Sequence, residues 1–124
     1  MRLLLDTHAL LWWLADDELA PQARDKIADP GNSVAVSAAS AWEISIKKAL
    51  GKLSAPDDIV EQIRANDFSS LPIDMNHALA AGHLPRHHED PFDRMLIAQA
   101  QIERLTIVTR DKRFTDYDVA VMPA

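Results

Sequence analysis

Cysteine is absent from the 124 residues of this chain. Disulfide bonds, thiolate metal sites and catalytic thiols are therefore excluded. Long hydrophobic runs are also lacking, because the longest apolar segment, residues 9–15, is far shorter than the roughly 20 residues that span a bilayer. The apolar start at Met1 is interrupted early by Asp6 and His8, which argues against a signal peptide. These absences predict a soluble cytoplasmic protein with no membrane segment.

An excess of basic residues is missing as well. The chain has 13 lysines and arginines against 19 aspartates and glutamates, which gives a formal net charge of −6. Nucleic-acid-binding domains usually carry a basic excess. Any contact with nucleic acid must therefore use a local basic face or a bound metal ion. The acidic total also suits the docking of a basic segment of a partner protein.

Internal repeats, low-complexity tracts and long linkers are not found either. A chain of 124 residues, of which 48% are hydrophobic, is large and apolar enough to bury one core. We therefore expect a single domain over residues 1–124.

Short apolar segments alternate with helical patterns along the whole chain. The pattern predicts strands at 2–6, 34–36, 68–73, 105–109 and 119–121, with a tight turn at 111–114. It predicts helices at 7–15, 21–28, 38–50, 56–66, 75–82 and 91–104. Such alternation favours an α/β domain with a mainly parallel sheet and helices on both faces. Ligands of such sheets bind beyond the carboxyl ends of the strands, where the strand order reverses.

Four acidic residues lie where apolar segments begin or end. Asp6 closes the first predicted strand, Asp111 follows the fourth, Glu43 interrupts an apolar helix, and Asp93 lies in a first helical turn. Carboxylates in one pocket repel each other by about 4 kcal/mol per pair at ~4 Å and an effective dielectric constant near 20. A cluster of this kind persists when a hard divalent cation neutralises it. If the first and fourth strands are neighbours, Asp6 and Asp111 lie at the same crevice.

Each of these acids also has an ordinary explanation when it is taken alone. Asp6 could cap the following helix, and Glu43 could form an i,i+4 ion pair with Lys47. Asp93 could interact with the helix dipole, and Asp111 could cap a turn. The sequence leaves these alternatives open, and it leaves Asp116 as a rival of Asp111.

Four segments together resemble the PIN-domain ribonucleases, specifically the VapC-type toxins of bacterial toxin–antitoxin pairs. They are Leu4–His8, Ser40–Ile44, His88–Ala98 and Val108–Asp111, and they occur in the family's order over nearly the whole chain. The resemblance implies a three-layer α/β/α sandwich around a short, mainly parallel sheet. It also implies RNA cleavage with Mg²⁺ or Mn²⁺, a homodimer, and a cognate antitoxin that silences the toxin.

The same resemblance assigns roles to individual residues. The acidic metal-binding positions of the family correspond to Asp6, Glu43, Asp93 and Asp111, and Thr109 corresponds to a polar position beside the fourth acid. Our hypothesis is that Asp6 and Asp93 bind one or two divalent ions, with the other two acids as direct or water-mediated ligands. Glu43 would orient or deprotonate the attacking water.

Basic residues near the acids are candidates for contacts with RNA phosphates. They are Lys47, Arg94 and Arg110. An ordinary solvated charge, or pairing with neighbouring acids, explains each of them equally well. His87 and His88 are adjacent, so their side chains tend to diverge, and we interpret them as part of a polar loop rather than as a metal-binding pair.

The segment 10–14 contains Trp12 and Trp13 in a helix that is apolar nearly all round. Such a helix must be covered on all sides. We expect one of the two indoles to be covered within the fold and the other to meet an antitoxin or a second subunit.

Three other functions are compatible with a chain of this size. A receiver-type signalling domain needs an acidic pair after the first strand, where this chain has Asp6 and Thr7. A haloacid-dehalogenase-type phosphatase needs Asp-x-Asp, and His8 occupies the third position. A catalytically silent PIN-fold binding module remains as the alternative to a nuclease.

Overall fold

A five-stranded, fully parallel sheet forms the centre of the molecule. The computed structural model describes all 124 residues. The strand order across the sheet is β3-β2-β1-β4-β5. The strands are β1 (Arg2–Leu5), β2 (Ser33–Ser37), β3 (Ser69–Leu71), β4 (Thr106–Thr109) and β5 (Val121–Pro123).

Six α-helices and one short 3₁₀ helix, Lys112–Asp116, connect the strands. The α-helices are α1 (Thr7–Leu14), α2 (Pro21–Ala28), α3 (Ala38–Ala49), α4 (Ile59–Ala65), α5 (Met75–His83) and α6 (Pro91–Glu103). Several begin at a side chain that accepts a backbone hydrogen bond, which satisfies an otherwise unpaired N–H group of the first turn. Asp6 caps α1, Ser37 caps α3, and Asp90 caps α6 just before Pro91.

The three consecutive leucines of β1 explain why helices cover both faces of the sheet. Leu3 and Leu5 belong to one apolar core, with residues of α1, α2 and α4. Leu4 points to the other face and belongs to a second core, with residues of α6 and the 3₁₀ helix. Successive strand residues face opposite sides, so an apolar run without alternation is buried on both. The predicted three-layer α/β/α sandwich is thus confirmed.

The predicted element order is confirmed, while some boundaries shift. The last strand is Val121–Pro123 rather than 119–121, because its pairing with β4 begins at Val121 opposite Ile107. The third strand has only the three residues that pair with β2 rather than the predicted 68–73. Helix α4 begins at Ile59 rather than at residue 56, after a turn at residues 57–58. Pairing partners that are distant in the sequence set these limits.

The topology brings the ends of β1 and β4 together. The two strands pair in parallel, with Leu5 opposite Val108, and the Asp6 N–H donates to the Val108 carbonyl at 3.1 Å. Strand order reverses between β1 and β4, so a crevice opens at their carboxyl ends. None of the six helices combines the length and the apolar character that crossing a membrane requires.

Candidate active site

A polar cleft of about 230 Å³ lies at the carboxyl ends of β1 and β4. All four acids that the sequence singled out line it, although they come from different parts of the chain. No hydrophobic residue lines this cleft. Its walls are Asp6, Thr7, His8, Glu43, Lys47, Asp90, Asp93, Asp111 and Arg113.

Asp6 is buried at the end of β1. Its Oδ1 accepts the Ala9 N–H at 2.8 Å, so the residue does cap α1 as its ordinary explanation proposed. Burial raises the pKa of this carboxyl group, and hydrogen bonds from the Thr109 hydroxyl and the Ala9 N–H oppose the rise only in part. Capping and a place in the cleft are therefore compatible, because one carboxyl group serves both.

Glu43 is buried in the wall of the cleft, with only 4% of its surface exposed. The Thr7 hydroxyl donates to Oε1 at 2.6 Å, and the Lys47 ammonium pairs with Oε2. This hydrogen bond with Glu43 is the main reason why the pKa of Lys47 is raised. The i,i+4 pair predicted from the sequence is present, but it lies at the cleft rather than on an open helix surface.

The orientation of α3 corrects one detail of the helical pattern. The helical spacing of the apolar residues in segment 38–50 predicts Trp42 within the buried arc and Glu43 at its edge. In the structure Trp42 is 61% exposed, whereas Ala39, Glu43 and Ile44 are buried. Helix α3 packs against both α1 and α6. Its buried stripe is therefore rotated toward the cleft, and Trp42 is left outside.

Asp93 lies in the first turn of α6, two residues after Pro91. Burial and the nearby carboxylates of Asp90, Glu43, Asp6 and Asp111 raise its pKa to about 8. At pH 7 this acid therefore carries a proton for most of the time. The cleft thus holds more carboxyl groups than can all be ionised without further positive charge.

Asp111 begins the 3₁₀ helix and lies at the rim of the cleft. The Arg113 guanidinium donates to both carboxylate oxygens, at 3.1 Å and 2.8 Å, and the hydrogen bond with it lowers the pKa of Asp111. Asp116 lines a different surface cleft, beside His83 and Tyr117. Of the two rival acids, only Asp111 lines the acidic cleft.

His88 contacts two of the cleft acids from behind the cleft wall, which we did not anticipate from the sequence. Its ring is buried, and its Nε2 lies 2.9 Å from Asp93 Oδ2 and 3.3 Å from Asp111 Oδ2. His87 is exposed and packs edge-on against Tyr117, so the adjacent side chains do diverge as expected. His88 thus lies in a loop, as interpreted, but its ring is buried against two acids instead of being exposed to solvent. The one available signal was its position two residues before the cap of the helix that carries Asp93.

Arg94 has a different role from the phosphate contact that we expected. Its guanidinium is buried and donates to the carbonyl oxygens of Ala81, Leu84, Pro85 and His88, at 2.9 to 3.2 Å. It does not line the acidic cleft. Neighbouring residues of a helix point about 100° apart, so Asp93 can face the cleft while Arg94 faces the loop behind it. Its hydrogen bonds order the segment that carries His88.

The other predicted contact residues differ in their positions. Lys47 lines the cleft, whereas Thr109 is buried and does not line it. The Thr109 hydroxyl accepts the Asp111 N–H at 3.0 Å. Arg110 stacks over the ring of Trp12 at 4.1 Å and donates to the carbonyl oxygens of Glu18 and Ala124. A contact between Arg110 and RNA stays a prediction.

The two tryptophans of α1 are both partly buried. The Trp13 indole donates to Asn66 Oδ1 at 3.0 Å and packs against Phe68, while Trp12 lies beneath Arg110. Neither indole is fully covered by the rest of the chain. The expected interface role of one of them stays a prediction.

The donor set of the cleft fits a hard divalent cation. Its possible ligands are carboxylate oxygens, which Mg²⁺ and Mn²⁺ prefer over softer groups. Burial raises the pKa values of Asp6 and Asp93, and for Asp93 the neighbouring carboxylates add to the rise, so negative charge is poorly compensated in the cleft. A bound cation would remove this imbalance of charge.

Comparison with known proteins agrees with this fold. The family model for the PIN domain matches residues 3–120. Ribonuclease VapC22 from Mycobacterium tuberculosis is 28% identical over 122 residues, which cover 92% of this chain and 90% of that protein.

Among solved structures, VapBC2 from Rickettsia felis, bound to a DNA fragment from its promoter, contains a chain of the same fold. It is 14% identical, with a TM-score of 0.72 and 98% of both chains covered. A toxin–antitoxin complex from Klebsiella pneumoniae contains a chain that is 21% identical, with a TM-score of 0.65 and coverage of 97% of this chain and 95% of that one. The family model covers almost the whole sequence, and on this basis the chain belongs to the PIN domain family.

Proposed function

We propose that this protein is a VapC-type endoribonuclease toxin that hydrolyses RNA phosphodiester bonds with Mg²⁺ or Mn²⁺. The observation that carries the proposal is the meeting of Asp6, Glu43, Asp93 and Asp111 in one cleft without hydrophobic lining. The similarity to Ribonuclease VapC22 supports the choice of RNA as the substrate.

The four carboxylates are the residues that would hold the cation. A bound Mg²⁺ or Mn²⁺ would stabilise negative charge on the scissile phosphate and make an attacking water more acidic. Asp93 must lose its proton before it can act as an anionic ligand, because its pKa is about 8. Glu43 is the candidate for orienting or deprotonating the water, since Thr7 and Lys47 hold its two oxygens in place.

Phosphate contacts would come from the cations that line the cleft. Lys47 and Arg113 both do so, and both have their charged groups beside the acids. Arg113 takes the place that we first gave to Arg94, whose guanidinium is already fully engaged with carbonyl oxygens. Two local cations are consistent with a nuclease that has no overall basic excess.

We further propose a cognate antitoxin as the protein partner. The support is the likeness to a chain of the toxin–antitoxin complex from Klebsiella pneumoniae. Binding of the antitoxin should suppress RNA cleavage. The cytoplasmic location expected from the sequence stays a prediction.

A homodimer is the second proposed assembly. Helix α5 exposes Met75 and Leu79, which are 82% and 66% accessible, and helix α3 exposes Trp42. An apolar groove of about 250 Å³, between residues of α3, α5 and α6, lies beside them. Contiguous exposed apolar surface of this kind is typical of protein interfaces.

The dimer can be tested by light scattering after size-exclusion chromatography. Leu79→Glu should convert a dimer into a monomer, because it buries an unpaired charge in the proposed interface. Val60→Glu is the matched control, since Val60 is an exposed aliphatic residue on α4, whose residues pack on the other face of the sheet. A wild-type monomer at micromolar concentration would contradict the dimer.

The nuclease is tested with defined single-stranded RNAs, with and without Mg²⁺ or Mn²⁺. Asp6→Asn is informative because asparagine keeps the cap of α1 while it removes the charge. Asp116→Asn is the matched control outside the acidic cleft. Cleavage should require metal, disappear in Asp6→Asn and persist in Asp116→Asn.

Two outcomes would count against the nuclease. Cleavage that survives both EDTA and Asp6→Asn would rule out the metal-dependent mechanism. A wild-type protein that neither cleaves RNA nor binds Mn²⁺ would favour the catalytically silent binding module.

A further inference from the structure

His88 is held beside the cleft acids by contacts that do not involve those acids. Its backbone N–H donates to the Tyr117 hydroxyl at 2.8 Å, and its carbonyl accepts from Arg94 at 3.2 Å. The Phe114 ring packs against the imidazole ring in a T-shaped arrangement, with the centroids 5.9 Å apart. The position of the imidazole is therefore set before any ligand is considered.

The hydrogen bonds of the ring indicate which nitrogen carries the proton. The Asp90 N–H donates to Nδ1 at 3.2 Å, so Nδ1 must offer a lone pair. In the neutral ring the proton then lies on Nε2. This Nε2–H donates to Asp111 Oδ2 at 3.3 Å, and Asp93 Oδ2 lies 2.9 Å from the same nitrogen.

The same tautomer argues against direct coordination of a cation by His88. A neutral histidine that binds a metal through Nε2 carries its proton on Nδ1, and that N–H usually donates to a carbonyl or a carboxylate. Here Nδ1 faces the N–H group of Asp90, so a proton on Nδ1 would meet another donor. The ring is oriented so that its Nε2–H points toward the carboxylates of Asp93 and Asp111.

Building on the proposed metal-dependent nuclease, we propose that His88 is a positioning residue that aligns the carboxylates of Asp93 and Asp111. The two acids come from α6 and from the turn after β4, and their oxygens and the histidine nitrogen all lie within 4.8 Å of one another. Once Asp93 is ionised, as cation binding requires, the like charges would push the two carboxylates apart without a donor between them. His88 holds them at the spacing that a shared cation needs.

Two substitutions separate the donated hydrogen bond from the packing of the ring. His88→Gln places an amide N–H near the position of Nε2, and it keeps the donor to Asp93 and Asp111. His88→Asn is shorter, so its oxygen can still accept the Asp90 N–H, but it has no group that reaches the acids. His87→Asn is the matched control, because His87 is the exposed neighbour of His88.

Mn²⁺ affinity, measured by calorimetry, is the primary readout because it does not depend on turnover. His88→Asn should weaken Mn²⁺ binding by roughly 10-fold to 100-fold, which is usual when an outer-shell partner of a metal ligand is lost. His88→Gln should bind within a few-fold of wild type, and His87→Asn should be unchanged. At saturating RNA, His88→Asn should lower kcat while KM stays close to the wild-type value.

A measurement on the wild-type protein covers the case in which His88→Asn fails to fold. Pulsed electron paramagnetic resonance of the Mn²⁺-loaded protein should show no directly coordinated imidazole nitrogen. A directly bound nitrogen, or equal Mn²⁺ affinity in His88→Asn and wild type, would overturn the positioning role but leave the nuclease intact. If the wild-type protein neither binds Mn²⁺ nor cleaves RNA, the proposed nuclease is overturned, and the positioning role with it.

Discussion

Two clusters in this molecule each contain one buried histidine and two acids, and their surroundings differ. His88 lies with Asp93 and Asp111, and His77 lies with Asp74 and Glu103. Both histidines are 2% exposed, and in each cluster the potential ligand atoms lie within 4.8 Å of one another. By composition and distance alone the two would be equally good metal sites.

The hydrogen bonds of the second cluster explain all of its members without a ligand. Asp74 Oδ1 accepts the His77 N–H at 2.9 Å, and His77 Nδ1 accepts the Asp74 N–H at 3.1 Å, which forms a reciprocal cap of α5. His77 Nε2 then pairs with Glu103 at the end of α6, at 3.1 Å. The cluster closes a helix and fastens it to its neighbour.

The His88 cluster differs because its acids have acidic neighbours. Asp93 shares the cleft with Asp6, Glu43 and Asp90, and the crowding contributes to its raised pKa. Asp74 instead lies at the surface, where water solvates its charge. The comparison teaches that the surroundings of a histidine–carboxylate cluster, rather than its members, indicate a functional site.

The largest difference between the clusters should appear in RNA cleavage. Asp93→Asn should lower the rate by ~10²–10³-fold or more, as expected when a preorganised charge that acts on the reacting groups is removed. Glu103→Gln should leave the rate within about twofold of wild type, because Glu103 does not line the acidic cleft. Single-turnover cleavage measures both. Equal losses in the two variants would erase the distinction between the clusters.

The second difference concerns the dependence of stability on pH. Asp93 has a pKa of about 8 in the folded protein against an ordinary value near 3.9 when unfolded. The folded state therefore binds this proton more tightly, and its stabilising effect is lost as pH rises from about 4 through 8. Without metal, the melting temperature of the wild type should fall over this pH range. The melting temperature of Asp93→Asn should fall less steeply.

Added Mn²⁺ should raise the melting temperature more at pH 8 than at pH 6, because the cation binds the ionised carboxylates. Thermal denaturation with Mn²⁺ or EDTA measures this effect. A Glu103→Gln protein should respond to Mn²⁺ as the wild type does. An equal response at both pH values would contradict the role of Asp93 as a titrating ligand.

The third difference is in stability without loss of function. His77→Gln should lower the free energy of unfolding by ~1–3 kcal/mol, because the reciprocal cap and the bond to Glu103 are lost. RNA cleavage at a temperature where the variant is folded should be unchanged. His83→Gln, an exposed change in the same helix, is the control and should alter stability by no more than ~0.5 kcal/mol. Urea denaturation compares the two, and a loss of cleavage in His77→Gln would refute the purely structural role.

The smallest expected effect belongs to the rim of the acidic cleft. Arg113→Gln should raise KM for RNA and reduce the slope of log affinity against log salt by about 1, as expected for one lost phosphate contact. Arg86→Gln is the control, because Arg86 is exposed and pairs only with Glu89. Binding titrations at several salt concentrations give the slopes. Identical slopes for both variants would remove Arg113 from the RNA-binding surface.

Much of the fold could be predicted because local patterns carry it. The apolar run of β1, the cap at Asp6 and the Asp90–Pro91 start of α6 are each contained in a few consecutive residues. The candidate site was harder, because its members come from distant segments. The four acids were accessible through their motifs, whereas the place of His88 depends on contacts with Tyr117 and Arg94.

The sequence by itself determined the order of strands and helices, the resemblance to the PIN domain family and the four acids as candidates. Only the tertiary structure decided that Arg94 faces a loop, that Trp42 faces outward and that His88, rather than His77, lies among the acids. The physical reason is that helix formation and strand burial follow from local spacing. The rotation of a helix and the surroundings of a charge depend on residues far away in the chain.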